Sequence, residues 1–170
     1  MTKRTFEELK DAVNSAINSN DAASLMECAD ELDALATSEA EAVAHNARGV
    51  GFYVRGNYAA ALEHWHRAMA MHEELGNRSD VARVTLNIGN VHYSTGNYPS
   101  ALENYHRALA MHEELGNSSN VARVIGNIGS VHYSTGNFPA ALEHSHRALA
   151  MYEELCESNG VARSIGDIGV

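Results

Sequence analysis

Between residues 81 and 95 the apolar positions recur at helical spacing. Val84, Ile88, Val91 and Thr95 fall on one stripe, Leu86 and Tyr93 on another. Between the stripes run Arg83, Asn87, Asn90 and Ser94, a narrow polar line with apolar neighbours on both sides. The pattern predicts a helix over Val81–Thr95, closed by Gly96-Asn97. A second helix is predicted from Tyr98-Pro99, with proline in the first turn where its missing N–H costs little. It runs to about Leu115, and Gly116-Asn117 ends it. Ser119 or Asn120 is the expected cap of the next helix.

The pattern then repeats. Residues 81–120 and 121–160 agree at 28 of 40 positions, so the two segments must adopt the same local structure. Residues 41–80 are a more diverged copy. VARSIGDIGV opens a further one at Val161. The first 40 residues fit the plan more loosely: an amphipathic helix over Phe6–Ile17, a turn at Asn18-Ser19-Asn20-Asp21, and a helix over Ala22–Leu35. The organisation predicted is a degenerate N-terminal pair or cap (1–39), repeats at 40–79, 80–119 and 120–159, and at 160–170 the first helix of a truncated fourth repeat or a C-terminal cap. The fold class is all-α: a right-handed superhelical solenoid of antiparallel helix pairs, with nine helices counting the last partial one.

Composition narrows the function. A net charge of −10 argues against nucleic acid and anionic membranes as partners, since both demand basic patches. No apolar stretch reaches the roughly 18 residues of a membrane span, and Met1–Glu8 lacks the apolar run of a signal peptide. Cys28 and Cys156 form no motif, which fits buried or free thiols in a reducing compartment. A cytoplasmic protein is expected.

Ile88-Gly89, Tyr93, Gly96, Tyr98, Ala101, Tyr105 and Ala108 resemble the tetratricopeptide signature. Gly129, Gly136, Phe138, Ala141 and Ala148 repeat it, as do Gly49, Gly56, Tyr58, Ala61, Trp65 and Ala68. The 40-residue period, with Leu75-Gly76-Asn77 and Leu115-Gly116-Asn117, resembles the subgroup of Leu-Gly-Asn-repeat adaptors and kinesin light chains. The sequence departs from the signature at Ser145, which replaces the aromatic of Trp65 and Tyr105, and at His92 and His132. The resemblance implies a binding scaffold in which Asn and Arg of the first helices hold partner segments.

The polar line recurs at intervals of 40: Arg83, Arg123 and Arg163; Asn87, Asn127 and Asp167; Asn90 and Ser130; Tyr53, Tyr93 and Tyr133. In a superhelix the stacked first helices line the concave surface. An extended, acidic peptide segment is the expected partner. Arginine reads carboxylates, the amides serve the ligand backbone, and the tyrosines add rigid apolar area. The competing structural reading has Arg and Asn pairing between neighbouring repeats. Gly126 and Gly166, in the place of Leu86, are expected to open side-chain pockets.

Catalysis and cofactors find no support. His64/His66 and His144/His146 are two apart and point about 200° apart on a helix, so they cannot share a metal ion. His92 and His132 read as packed, hydrogen-bonded residues. Pairs such as Glu113-Glu114 do not converge on a substrate. Met69, Met71, Met111 and Met151 read as gap-filling core or second-helix surface. Glu63–Arg67, Glu103–Arg107 and Glu143–Arg147 are outer-face i, i+4 pairs. The alternative to peptide binding is a structural or self-assembling module of a larger signalling protein. In it, Val161, Ile165 and Ile168 of the C-terminal helix form a homodimer.

Overall fold

A computed structural model describes residues 3–155. Arg163, Asp167, Cys156, Gly166 and the helix expected over 160–170 lie outside the described residues. Among the described residues there are eight α-helices and no strands. They are Phe6–Asn18 (α1), Ala22–Asp33 (α2), Ser38–Val54 (α3), Tyr58–Glu74 (α4), Arg78–Ser94 (α5), Tyr98–Glu114 (α6), Ser118–Ser134 (α7) and Phe138–Glu154 (α8). The connections are three or four residues long, which makes successive helices antiparallel neighbours.

One asparagine does two jobs at the α3/α4, α5/α6, α6/α7 and α7/α8 boundaries. Asn97 donates its backbone N–H to the carbonyl of His92, closing α5, while Gly96 takes a left-handed φ of 74°. The Asn97 side chain then accepts from the backbone N–H of Ser100, capping α6. Asn117 likewise caps α7 through the N–H of Asn120. So α7 begins at Ser118, earlier than a cap at Ser119 or Asn120 allows, and α5 begins at Arg78 rather than Val81. Asn20, at φ 53°, takes the same left-handed backbone that Gly56 takes at 75°. A capping box between Thr5 and Glu8 starts α1.

The chain divides at Val84/Thr85 into two compact units. In the first, Leu9, Val13, Leu25, Ala29, Leu32, Ala40 and Ala44 make one core from α1, α2 and α3. Cys28, 2% exposed, is a free thiol within it. Arg48 of α3 reaches back to Asp30 and Asp33, both at 2.7 Å. Trp65 of α4, 1% exposed, presses on α3 where Gly49 leaves room; a Cβ there would lie 2.4 Å from the indole Nε1. In the second unit Tyr105 of α6 occupies the same repeat position over Gly89 of α5. It belongs to a core with Leu86, Ala101, Ala108, Val124, Ile128 and Val131. A second cluster joins Val121, Ala122 and Ile125 of α7 to Ala148 and Tyr152 of α8.

Candidate functional site

The predicted polar line sits on α3, α5 and α7, and the structure gives its members different neighbours. In the second unit, Asn90 Oδ1 accepts from the Tyr105 hydroxyl at 2.9 Å and from Asn127 Nδ2 at 3.1 Å. Asn127 is itself 7% exposed. These two amides are thus engaged between helices. Asn87 is half-buried. Ser130 donates to the Gly126 carbonyl at 3.1 Å. Arg123 donates to Asn120 Oδ1 at 2.7 Å, one turn back on its own helix. Tyr93 meets Ser134 Oγ at 3.1 Å through its hydroxyl and packs its ring 6.0 Å from Tyr98. Tyr133 is 63% exposed, edge-on to Phe138. Gly126 is buried, and a Cβ there would meet only Ala148 of α8, at an ordinary contact distance of 3.9 Å.

In the first unit, Tyr53 packs against Tyr58 and Trp65 at 5.6 and 5.9 Å. Arg83 forms an ion pair with Asp80, one turn back. This pair borders a cavity of about 140 Å³ that the sequence did not disclose. Lys10 comes from α1, Glu39 and Asn46 from α3, His72 from α4, Asp80 and Arg83 from α5. His72 is 0% exposed and Asn46 1% exposed. Neither ring nitrogen of His72, nor Asn46 Oδ1, nor Arg83 Nε has a hydrogen-bond partner among the protein groups. His72 Nδ1 lies 3.9 Å from Asp80, beyond hydrogen-bond reach. Burial pushes the His72 pKa down; Asp80 opposes the shift and Arg83 adds to it. Burial thus favours the neutral ring, which offers one donor and one acceptor. The lining combines two cations, two carboxylates, amides and an imidazole, the parts of a polar binding site.

One signal of the cavity was present in the sequence. Position 46 of the earliest copy corresponds to Leu86 in the next and Gly126 in the third. A buried asparagine where a sister repeat has leucine is a polar group with a job to do. The histidines also differ from expectation. His132 stacks on His144 with centroids 5.4 Å apart rather than sitting in a hydrogen bond of its own. His64 stacks on Phe52 and brings its Nδ1 to 2.8 Å from that of His45, so one ring donates and the other accepts. Burial and, in order, Arg48 and Arg67 hold His45 below the usual histidine range. His66, His106 and His146 are exposed. Of the outer ion pairs, Glu63–Arg67 closes at 2.6 Å, while Arg147 lies 3.8 Å from Glu113 of α6. Among the described residues no group of three His, Cys, Asp or Glu side chains could hold a metal ion. No described helix is long and apolar enough to cross a membrane.

The tetratricopeptide repeat family profile matches residues 39–114 and 80–154, most of the chain. The chain belongs to the tetratricopeptide repeat family. Its helix pairs are similar to those of a Rap protein complexed with competence and sporulation factor, with TM-score 0.83, 18% identity, and 94% of this chain and 46% of that one covered. They are also similar to aspartyl phosphate phosphatase F from Bacillus subtilis, with TM-score 0.81, 19% identity, and 94% and 43% covered. A putative kinesin light chain of Podosopora anserina, with nearly identical TPR-like repeats, matches with TM-score 0.66, 12% identity, and 97% and 85% covered. At these identities the likeness shows the fold alone. This tetratricopeptide chain spans less than half the length of the Rap protein and of the phosphatase. No curated protein matches it in sequence.

Proposed function

We propose that this chain is a non-catalytic scaffold that binds an extended peptide segment along the first helices of its repeats. The observation that carries the reading is the recurrence, at intervals of 40, of Arg, Asn and Tyr side chains on α5 and α7, with both arginines half-buried and Tyr133 exposed. The Rap protein complexed with competence and sporulation factor lends support, since a chain of similar fold is complexed with that factor. In this reading Arg83 and Arg123 meet carboxylates of an acidic segment. Asn87 serves its backbone. Tyr53, Tyr93 and Tyr133 pack its side chains. Arg163 and Asp167 extend the line.

The test is selection of the full chain against a displayed random peptide library, repeated with Arg83→Glu and Arg123→Glu together. Wild type should enrich acidic peptides and the double variant should not, at about 1.5–3 kcal/mol per lost charged contact. No enrichment, or the same peptides from both, overturns the reading. A second reading, self-association, draws on exposed Tyr133, Phe138 and Leu142. Light scattering that returns the monomer mass at every concentration removes it.

A further inference from the structure

The cavity beside Arg83 has features that peptide binding along the polar line does not by itself explain. At about 140 Å³ it falls below the roughly 300–1,000 Å³ of small-molecule pockets, and suits one side chain. Its fixed charges balance: Lys10 and Arg83 are offset by Glu39 and Asp80, and burial favours the uncharged form of His72. Arg83 is already engaged by Asp80, so an entering carboxylate would have to displace that carboxylate or face it. Lys10 lies 3.8 Å from Glu7. The unpartnered buried atoms are of both kinds. Asn46 Oδ1 needs a donor, Arg83 Nε needs an acceptor, and His72 needs one of each. A group that answers both kinds must donate and accept and carry no net charge, and a carboxamide does so from two separate atoms, where a hydroxyl has a single oxygen. An alkyl side chain would leave every one of them unsatisfied, and an ammonium or carboxylate answers only one sign.

We infer that this cavity is a subsite for an uncharged carboxamide, the Gln or Asn side chain of the bound segment. The inference rests on the peptide-binding reading and changes one assignment in it: the segment offers carboxylate to Arg123 but an amide, not a carboxylate, beside Arg83. The next repeat supplies conservative ways to alter the site. Asn120 stands at the position of Asp80, and Leu86 at that of Asn46. Both substitutions therefore use residues that a sister copy already accommodates. Asp80→Asn gives the cavity a net positive charge and should turn it towards carboxylates. Asn46→Leu fills it.

The experiment takes peptides selected from the displayed library and measures their affinity for the full chain after Gln or Asn is changed to Glu or norleucine. Binders should carry Gln or Asn at one fixed position. For wild type either change should weaken binding about tenfold, the scale of one buried group left unpaired. D80N should reverse the order so that Glu binds better than Gln. N46L should abolish the preference while circular dichroism and the melting temperature show an intact fold. Binders that are indifferent to all of these changes overturn the carboxamide subsite and leave peptide binding standing. If the library yields no binders, N-acetylglutamine methylamide is the probe, read by NMR at the His72 ring and the Asn46 side chain. Shifts at both, absent with N-acetylnorleucine methylamide and in N46L, establish the subsite while peptide binding falls. No shifts mean a cavity that takes water only, and both readings fall.

Discussion

Two regions of the molecule occupy the same repeat positions with different chemistry. At matching repeat positions the first unit has His72, Trp65, Asn46, Asp80 and Val50 where the second unit has His112, Tyr105, Leu86, Asn120 and Asn90. Both histidines are 0% exposed, and in both cases neither ring nitrogen has a protein partner. Both large aromatics are 1% exposed over a glycine. The second unit uses its amide internally: the Tyr105 hydroxyl donates to Asn90. The first unit has Val50 at that position, and Trp65 Nε1 is buried without a partner. Its own amide, Asn46, borders the cavity instead. The repeat fixes where the helices lie. The polar residues placed on it are then spent either on the fold or on a ligand, and only their partners tell which.

The sharpest test of equal packing is to remove each aromatic. Trp65→Ala and Tyr105→Ala should each destabilise by about 3–5 kcal/mol in denaturant unfolding. A small loss at either position would break the equivalence of the two seams. Next in size is overpacking. A Cβ on Gly89 would lie 2.7 Å from the Tyr105 ring, so Gly89→Ala should cost about 1–3 kcal/mol. In the third copy Ser145 stands in place of the aromatic, and a Cβ on Gly129 would come no closer than 3.2 Å, to His144 Cβ. Gly129→Ala should therefore cost clearly less than Gly89→Ala. Equal costs would show that the aromatic does not set the clearance.

The helices were legible in the sequence because their punctuation is local: Gly-Asn ends, proline in a first turn, apolar residues at helical spacing. Their starts were misplaced by about three residues because Asn77 and Asn117 both follow the end of one helix and precede the next, and only geometry shows the second role. At the site, the recurring Arg, Asn and Tyr positions were readable. That Asn90 and Asn127 bond to each other was not, because the contact joins residues 37 apart. Asn46 marked the cavity in the sequence, but its full lining was beyond reach for the same reason, since it comes from α1, α3, α4 and α5.

The two buried histidines predict how pH acts. Burial lowers the pKa of both. Arg83 adds to the effect at His72 against the pull of Asp80 and Glu39, and Arg123 adds to it at His112. A folded-state pKa below the unfolded value of about 6.5 means that the unfolded chain takes up protons first. The stability is present above about pH 6.5 and is lost as pH falls through the window below it. His45, His64 and His144 shift in the same direction. Urea midpoints should therefore fall between pH 7.5 and pH 5. His112→Tyr, which copies Tyr152 of the next repeat, should flatten part of that slope. An unchanged slope in H112Y would place the pH dependence elsewhere.

The smallest effect is the most discriminating. Tyr105→Phe keeps the ring over Gly89 and removes only the hydroxyl, so it should cost about 0.5–1.5 kcal/mol. Asn90 Oδ1 then still accepts from Asn127. Asn90→Val copies Val50 of the earlier repeat and should cost more, because it leaves the buried Tyr105 hydroxyl and the Asn127 amide without their acceptor. With both changes made, the hydroxyl is gone along with its partner, and the double variant should be less destabilised than the sum of the two singles. That shortfall is the coupling of the Tyr105–Asn90 hydrogen bond, and chemical denaturation of the four proteins measures it. Strict additivity would mean that the bond contributes nothing. Asn90 would then be a residue held for a ligand, as Asn46 is, and the contrast between the two regions would collapse.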